Sequence, residues 1–178
     1  MKLRPPSFLM LGMIGLGARS GYAIKRATDI STRFFWPTSL AQVYPELSRL
    51  ERAGLLVRSE DPRGLRRRSS YELTEQGEAA LLSWLCSEQK ATTHFRDEGI
   101  LRLFFADALP PEDQLALIGR LRERARAAST QLEQEIAPLA DALAEEGLRY
   151  PGLVARLGAD TYAYVEQWLE RAQEELRE

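Results

Sequence analysis

The sequence predicts a mainly α-helical protein. An N-terminal winged helix-turn-helix, three helices plus a β-hairpin wing, is followed by a C-terminal helical dimerisation domain. Three observations carry this. Apolar residues recur at helical spacing through most of the 178 residues. A single strand–turn–strand pattern lies between Gly54 and Thr74, directly after the third helix. The charge is also split. Residues 1–77 hold 13 Lys and Arg against 7 Asp and Glu, whereas residues 78–178 hold 11 against 19. The whole-chain net charge of −2 therefore conceals a basic front and an acidic rear. The domains are read as residues 1–85 and 86–178.

Pro5 and Pro6 open the first helix, where a missing N–H costs nothing. Phe8 to Ile14 is apolar nearly all round, which marks a buried helix ending near Gly15–Gly17. Ser20 caps a second helix from Gly21 to about Thr28, with Tyr22, Ile24 and Ala27 as packing residues. Phe34-Phe35-Trp36-Pro37 forms an aromatic corner, and Thr38-Ser39 signals another cap. From Leu40 the apolar residues Val43, Tyr44, Leu47 and Leu50 follow the stripe of an amphipathic helix, closed by Gly54. Pro45 interrupts this pattern, and the helix arithmetic gives it only a cost. Leu55–Glu60 and Arg66–Leu73 are the two strands, joined by Asp61-Pro62-Arg63-Gly64.

Residues 74–90 read as a helix, capped by Thr74, with Ala80, Leu81, Trp84 and Leu85 inward. Ile100, Leu101, Leu103, Phe104 and Phe105 form a short apolar helix. Pro110-Pro111 starts a long one, whose seam runs through Ile118, Leu121, Ala125, Ala128, Leu132, Ile136, Leu139 and Leu143. Such a seam fits burial between two copies, with Pro138 as a kink. A last helix, about 159–177, aligns Tyr162, Val165, Trp168, Leu169, Ala172 and Leu176.

Composition narrows the function. Cys86 is the only cysteine and His94 the only histidine, so no disulfide and no tetrahedral N/S zinc site is available. Cys86 reads as a small buried hydrophobe, and His94 beside Asp97 and Glu98 as a surface ion pair; no catalysis, metal or cofactor is expected. The run Phe8–Ala18 is too short and glycine-rich for a membrane segment or an export signal, so the protein is expected in the cytoplasm without membrane contact. Gly15 to Gly21 superficially suggests a nucleotide loop but lacks the strand–loop–helix setting of one.

A winged helix-turn-helix lays its recognition helix in the major groove of double-stranded DNA. Thr38, Ser39 and Gln42 bring hydrogen-bonding groups to the start of that helix. Tyr44 offers a hydroxyl to phosphate, and Arg49 and Arg52 lie further along. Arg63, Arg66, Arg67 and Arg68 crowd the wing tip, where they repel one another unless an anion is near. The rival reading is a winged-helix protein-interaction module without DNA binding.

Ser20-Gly21-Tyr22-Ala23-Ile24, Phe35-Trp36-Pro37, the stretch Gln42-Val43-Tyr44-Pro45-Glu46-Leu47-Ser48-Arg49-Leu50-Glu51 and Gly54-Leu55-Leu56 resemble the PadR family of transcriptional regulators, in its longer-tailed branch. The resemblance covers about the first 85 residues; the rear agrees by layout. It accounts for Pro45, since the tyrosine–proline pair is a family feature. It implies a homodimeric repressor on a palindromic DNA operator, released by a small aromatic or apolar effector. By position it implies DNA contacts at Ser39, Gln42, Tyr44 and the wing arginines, with Ser20 and Tyr22 as further candidates. It fixes no effector pocket. The aromatics Phe35, Trp36, Phe104, Tyr162 and Trp168, off the regular helix stripes, are the candidates for a site between the domains.

Overall fold

Helix α1 (Pro5–Gly15) buries Met10, Leu11, Met13 and Ile14, and ends in a left-handed turn at Gly17, φ 94°. There the Ala18 N–H reaches back to the Met13 carbonyl at 2.9 Å. Helix α2 (Gly21–Ile30) starts on Ser20, whose hydroxyl accepts the Ala23 N–H at 3.1 Å. After a short 3₁₀ turn at Thr32–Phe34, helix α3 (Leu40–Arg52) runs unbroken through Pro45 and buries Val43, Leu47 and Leu50. Gly54, φ 72°, closes it, with the Leu55 N–H on the Leu50 carbonyl at 3.0 Å. The computed structural model describes residues 2–61, 68–88 and 95–177, and the chain divides into two units, residues 1–91 and 92–178.

Strands β1 (Leu56–Asp61) and β2 (Arg68–Leu73) pair antiparallel, with Leu56 opposite Leu73 and Asp61 opposite Arg68. The Tyr71 N–H also bonds the Arg19 carbonyl at 2.7 Å, tying the wing to the α1–α2 loop. Helix α4 (Glu75–Leu85) is capped by Thr74, which accepts the Gly77 N–H and donates to the Gly54 carbonyl at 2.7 Å. Gly77 is needed there: a Cβ would stand 2.2 Å from the Leu55 carbonyl oxygen. The front core gathers Met10, Leu11, Ile24, Val43, Leu47, Leu50, Leu56 and Tyr71.

Several sequence expectations are corrected in this unit. Helix α4 stops at Leu85 rather than continuing to 90. Its last turn faces outward: Trp84 and Leu85 are exposed, Trp84 stacking on Phe8 at 4.6 Å, and Cys86 is exposed instead of buried. Tyr22 does not pack; it is 69% exposed.

In the rear unit, α5 (Glu98–Phe104) is capped by Asp97, which accepts the Gly99 and Ile100 N–H groups at 2.7 and 3.1 Å. Its residues Ile100, Leu101 and Phe104 are exposed and Leu103 is half-buried; only Gly99 is buried, where a Cβ would stand 2.5 Å from the Leu121 side chain. Helix α6 (Pro111–Gln131) passes through a π-helical segment, Leu132–Ile136, into α7 (Ala137–Glu145). Pro138 lacks the N–H for a regular turn, and the widened turn absorbs the fault.

Helix α8 (Tyr150–Glu175) starts nine residues before the point that periodicity predicts. Gly147, φ 94°, ends α7, and Pro151 fits the first turn of α8. In the early turns of α8 the buried face carries only the small residues Gly152, Ala155 and Ala159, while the large apolar residues Tyr150, Leu153, Val154 and Leu157 stay exposed. Helix α8 runs antiparallel to α6: Gln173 reaches the Leu115 carbonyl, Arg122 pairs with Glu170, Arg126 with Glu166 at 2.7 Å, and Ser129 with the Ala159 carbonyl. The seam expected as a two-copy interface is therefore filled in large part by the chain's own α8. Ile118, Ala125, Leu132 and Ile136 are buried, whereas Leu139 and Leu143 are exposed beyond the π segment. No helix among the described residues is long and apolar enough to cross a membrane.

Candidate nucleic-acid interface

The recognition helix α3 is fastened to its scaffold at three points. At its start, the Gln42 side-chain oxygen accepts the Ser39 N–H at 2.9 Å and the Ser39 hydroxyl at 3.2 Å. This is the reciprocal half of a capping box, which stabilises a helix N-terminus. One turn on, the Tyr44 ring lies over Gly21, where a Cβ would come within 2.6 Å of Cε1 and 2.9 Å of Cζ. Half of Tyr44 stays exposed. The glycine of Ser20-Gly21-Tyr22 is thus the seat of the tyrosine in Tyr44-Pro45.

The third point is Arg49. It donates to Glu46 through Nε at 3.0 Å and to the fully buried Ser7 hydroxyl at 2.6 Å, joining α3 to α1. Burial pushes the Glu46 carboxyl up, but hydrogen bonds from Arg49 and Ser7 and the charges of Arg49 and Arg4 outweigh it and hold it below its ordinary value. Arg49 is therefore a brace of the helix, not a free groove contact. Nothing in its periodicity distinguished the two roles, because Ser7 lies 42 residues away.

The remaining candidates are distributed around this helix. Ser20 commits its oxygen to the α2 cap, and Tyr22 stands exposed in the same first turn. Thr38 turns its hydroxyl to the Trp36 carbonyl at 3.3 Å. Arg52 is exposed, with Nε on the Ser48 carbonyl. On the wing, Arg58 pairs with Glu60, and Arg19 with Glu72 at 2.7 Å. Arg68 opens β2; Arg63, Arg66 and Arg67 lie outside the described residues.

Of the effector candidates, Phe35 and Trp36 follow the 3₁₀ turn and are exposed, while Arg33 covers the Phe34 ring at 4.7 Å. In the rear unit, Phe104 is 77% exposed and edge-on to Phe105, Trp168 is 45% exposed, and Tyr162 is half-buried. A cleft the sequence did not announce lies between α5 and α6. It has a volume of about 260 Å³ and is lined by Glu98, Gly99, Leu117 and Leu121 together with Arg102, Arg120 and Arg124. No group of acids, His or Cys among the described residues could hold a metal ion.

Residues 10–83 match the PadR-like family of transcriptional regulators, and residues 95–177 match the virulence activator alpha C-terminal family. The negative transcriptional regulator PadR of Bacillus subtilis is 28% identical over 112 residues. The match spans 62% of this chain and 62% of that relative's length. The crystal structure of Bacillus subtilis PadR with operator DNA superposes with a TM-score of 0.85 at 22% identity, over 99% of both chains. The structure of the same protein with p-coumaric acid gives 0.75 at 22% identity, over 98% of this chain and 100% of that one. These two superpositions establish the fold.

Proposed function

We propose that the chain, whose residues 10–83 match the PadR-like family of transcriptional regulators, acts as a homodimeric, ligand-responsive repressor gripping a palindromic DNA operator. The observation that carries the DNA reading is the start of α3. Ser39, Gln42 and Tyr44 are all exposed there, on a helix braced from behind by Arg49 and buried Ser7. Base edges are read by such a polar helix start, and the wing arginines supply the phosphate contacts that set affinity.

Two copies meet through the rear unit. Helix α8 carries a second apolar stripe, Tyr150, Leu153, Val154, Leu157, Tyr164 and Trp168, which stays substantially exposed and lies apart from the residues it buries. A stripe of that length, left in water, favours self-association. The effector is a small aromatic or apolar molecule, a reading supported by the structure of the Bacillus subtilis relative in complex with p-coumaric acid; the candidates to bind it are Phe35 and Trp36 in the front unit and Phe104, Tyr162 and Trp168 in the rear unit.

Activation is the second reading, favoured by the rear unit's match to virulence activators. The same contacts serve either outcome, depending on where the operator lies relative to the promoter.

The test replaces Arg66, Arg67 and Arg68 with Ala in the full chain. Binding to all duplexes should weaken, and the slope of log K against log salt should flatten by up to about one unit for each phosphate the wing no longer neutralises. An unchanged slope refutes the wing assignment. Sedimentation of the wild type at micromolar concentration should give a dimer; a monomer removes that part of the reading.

A further inference from the structure

We propose that Gln42 reads DNA as a hydrogen-bond donor only, and so selects guanine over adenine beneath the start of α3; this rests on the DNA-binding reading above. A free glutamine presents both ends of its amide. The oxygen accepts from adenine N6 while the nitrogen donates to N7, which makes adenine its usual base partner. In this protein the oxygen is already occupied. It takes the Ser39 N–H at 2.9 Å and the Ser39 O–H at 3.2 Å, so both lone pairs have donors.

The orientation of the amide is fixed by chemistry. A backbone N–H requires an acceptor, and the amide nitrogen cannot be one. The oxygen therefore faces Ser39, and the NH₂ group is the part left for solvent or the groove. The residue is exposed, and it sits at the third position of the helix, where a recognition helix meets base edges. Two N–H donors match guanine, whose N7 and O6 are both acceptors, and match thymine less well through O4 alone. Adenine places its N6 donor against the same NH₂ group.

In this arrangement the Ser39 hydroxyl proton points at the Gln42 oxygen, and turning it to a phosphate would leave the box closed but free one lone pair of that oxygen. Opening the box to free Gln42 for adenine would expose the Ser39 N–H at the helix start. Losing a cap of this kind weakens a helix measurably, an effect comparable in size with the gain from one bidentate base contact.

The experiment selects duplexes from a library with a randomised half-site, using the full-length protein and three variants: Gln42→Ala, Gln42→Glu and Ser39→Gly. The position read by residue 42 is the one whose preference disappears in Gln42→Ala. At that position the wild type should favour guanine over adenine by at least about fivefold. Gln42→Glu keeps the capping acceptor and the fold, checked by circular dichroism, but has no donor, so the guanine preference should vanish. Ser39→Gly keeps the N–H and frees one lone pair, so the guanine-to-adenine ratio should fall.

Adenine as the favoured base, or a guanine preference that survives Gln42→Glu, overturns the proposal. Sequence-selective binding with no contribution from residue 42 overturns it as well, while leaving the DNA reading intact. If no duplex is bound at any salt concentration, the DNA reading itself fails and this assignment with it.

Discussion

Replacing Gly21 by Ala should damage DNA binding while leaving the fold stable. The new Cβ would lie 2.6 Å from Tyr44 Cε1 and 2.9 Å from Cζ, against the ~3.4 Å at which carbon atoms meet comfortably. The obstacle is the far end of a side chain, so the ring moves and the backbone stays. Clearing the Cβ swings the ring edge by about 0.8 Å, and the hydroxyl, further out on the same lever, by roughly 1 Å. Hydrogen bonds tolerate only about 0.5 Å between their shortest and longest useful lengths, so Tyr44 would no longer reach the phosphate proposed as its partner. A hydrogen bond to a charged group contributes about 1.5–3 kcal/mol, which corresponds to an affinity lower by roughly ten- to hundredfold. Stability moves the other way, if at all, because Ala is favoured over Gly in a helix by up to about 1 kcal/mol.

The assay is fluorescence anisotropy on a labelled duplex, with urea unfolding of the same samples. Tyr44→Phe removes the hydroxyl and leaves the ring, so it should weaken binding by a similar amount. The double variant should bind little worse than either single one, because both act on the same hydrogen bond. Undiminished affinity in Gly21→Ala would refute the link between the ring's seat and DNA. Additive effects would mean that Gly21 matters for another reason.

Two further outcomes follow from the packing. Gly77→Ala should destabilise by about 1–3 kcal/mol, since its Cβ meets backbone at 2.2 Å, whereas Gly12→Ala, with nothing within 4 Å, should be neutral or stabilise by up to about 1 kcal/mol; equal urea midpoints would refute the reasoning. The Glu46 carboxyl is held below its ordinary value of 4.5, so its contribution is complete above that pH and is lost as pH falls through the lowered value. Urea midpoints between pH 7 and 3 should therefore fall less steeply for Glu46→Gln than for the wild type, from a lower starting point at pH 7; parallel curves would exclude Glu46 as a source of acid lability.

The front unit was legible because its signals are local. Ser20 and Ser39 announce caps, Gly54 announces a helix end, and the stripe gives the buried face of α3 at Val43, Leu47 and Leu50, while its members Leu40 and Tyr44 stay exposed. The rear unit was less so. Small residues, Gly152, Ala155 and Ala159, are buried where α8 packs, and Leu132 comes within 3.1 Å of where a Cβ on Gly158 would stand, so the packed face of early α8 shows no large apolar residues to periodicity. The seam through α6 is a buried surface, as its spacing predicts, but its occupant is in large part different from the one expected. Its partner is a helix some 40 residues later in the same chain, and spacing cannot say which chain fills a seam.

The same limit operated at the site, with a more useful result. Sequence pattern assigns polar residues to a groove-facing helix without showing how much of each is already committed. Arg49 is committed almost wholly, to Glu46 and Ser7. Ser39 directs its hydroxyl proton to Gln42, and the Gln42 oxygen serves the helix start. Tyr44 has given one ring face to Gly21 but keeps its other half exposed. What is left pointing outward is an amide NH₂ group, a serine oxygen and a phenol. On the proposed DNA-binding role, those remaining hydrogen-bonding groups are what a base edge or phosphate would meet, so the interactions that stabilise α3 would also narrow what it can recognise. A change that only strengthens the helix start would therefore alter sequence preference, even where the altered atom never touches DNA.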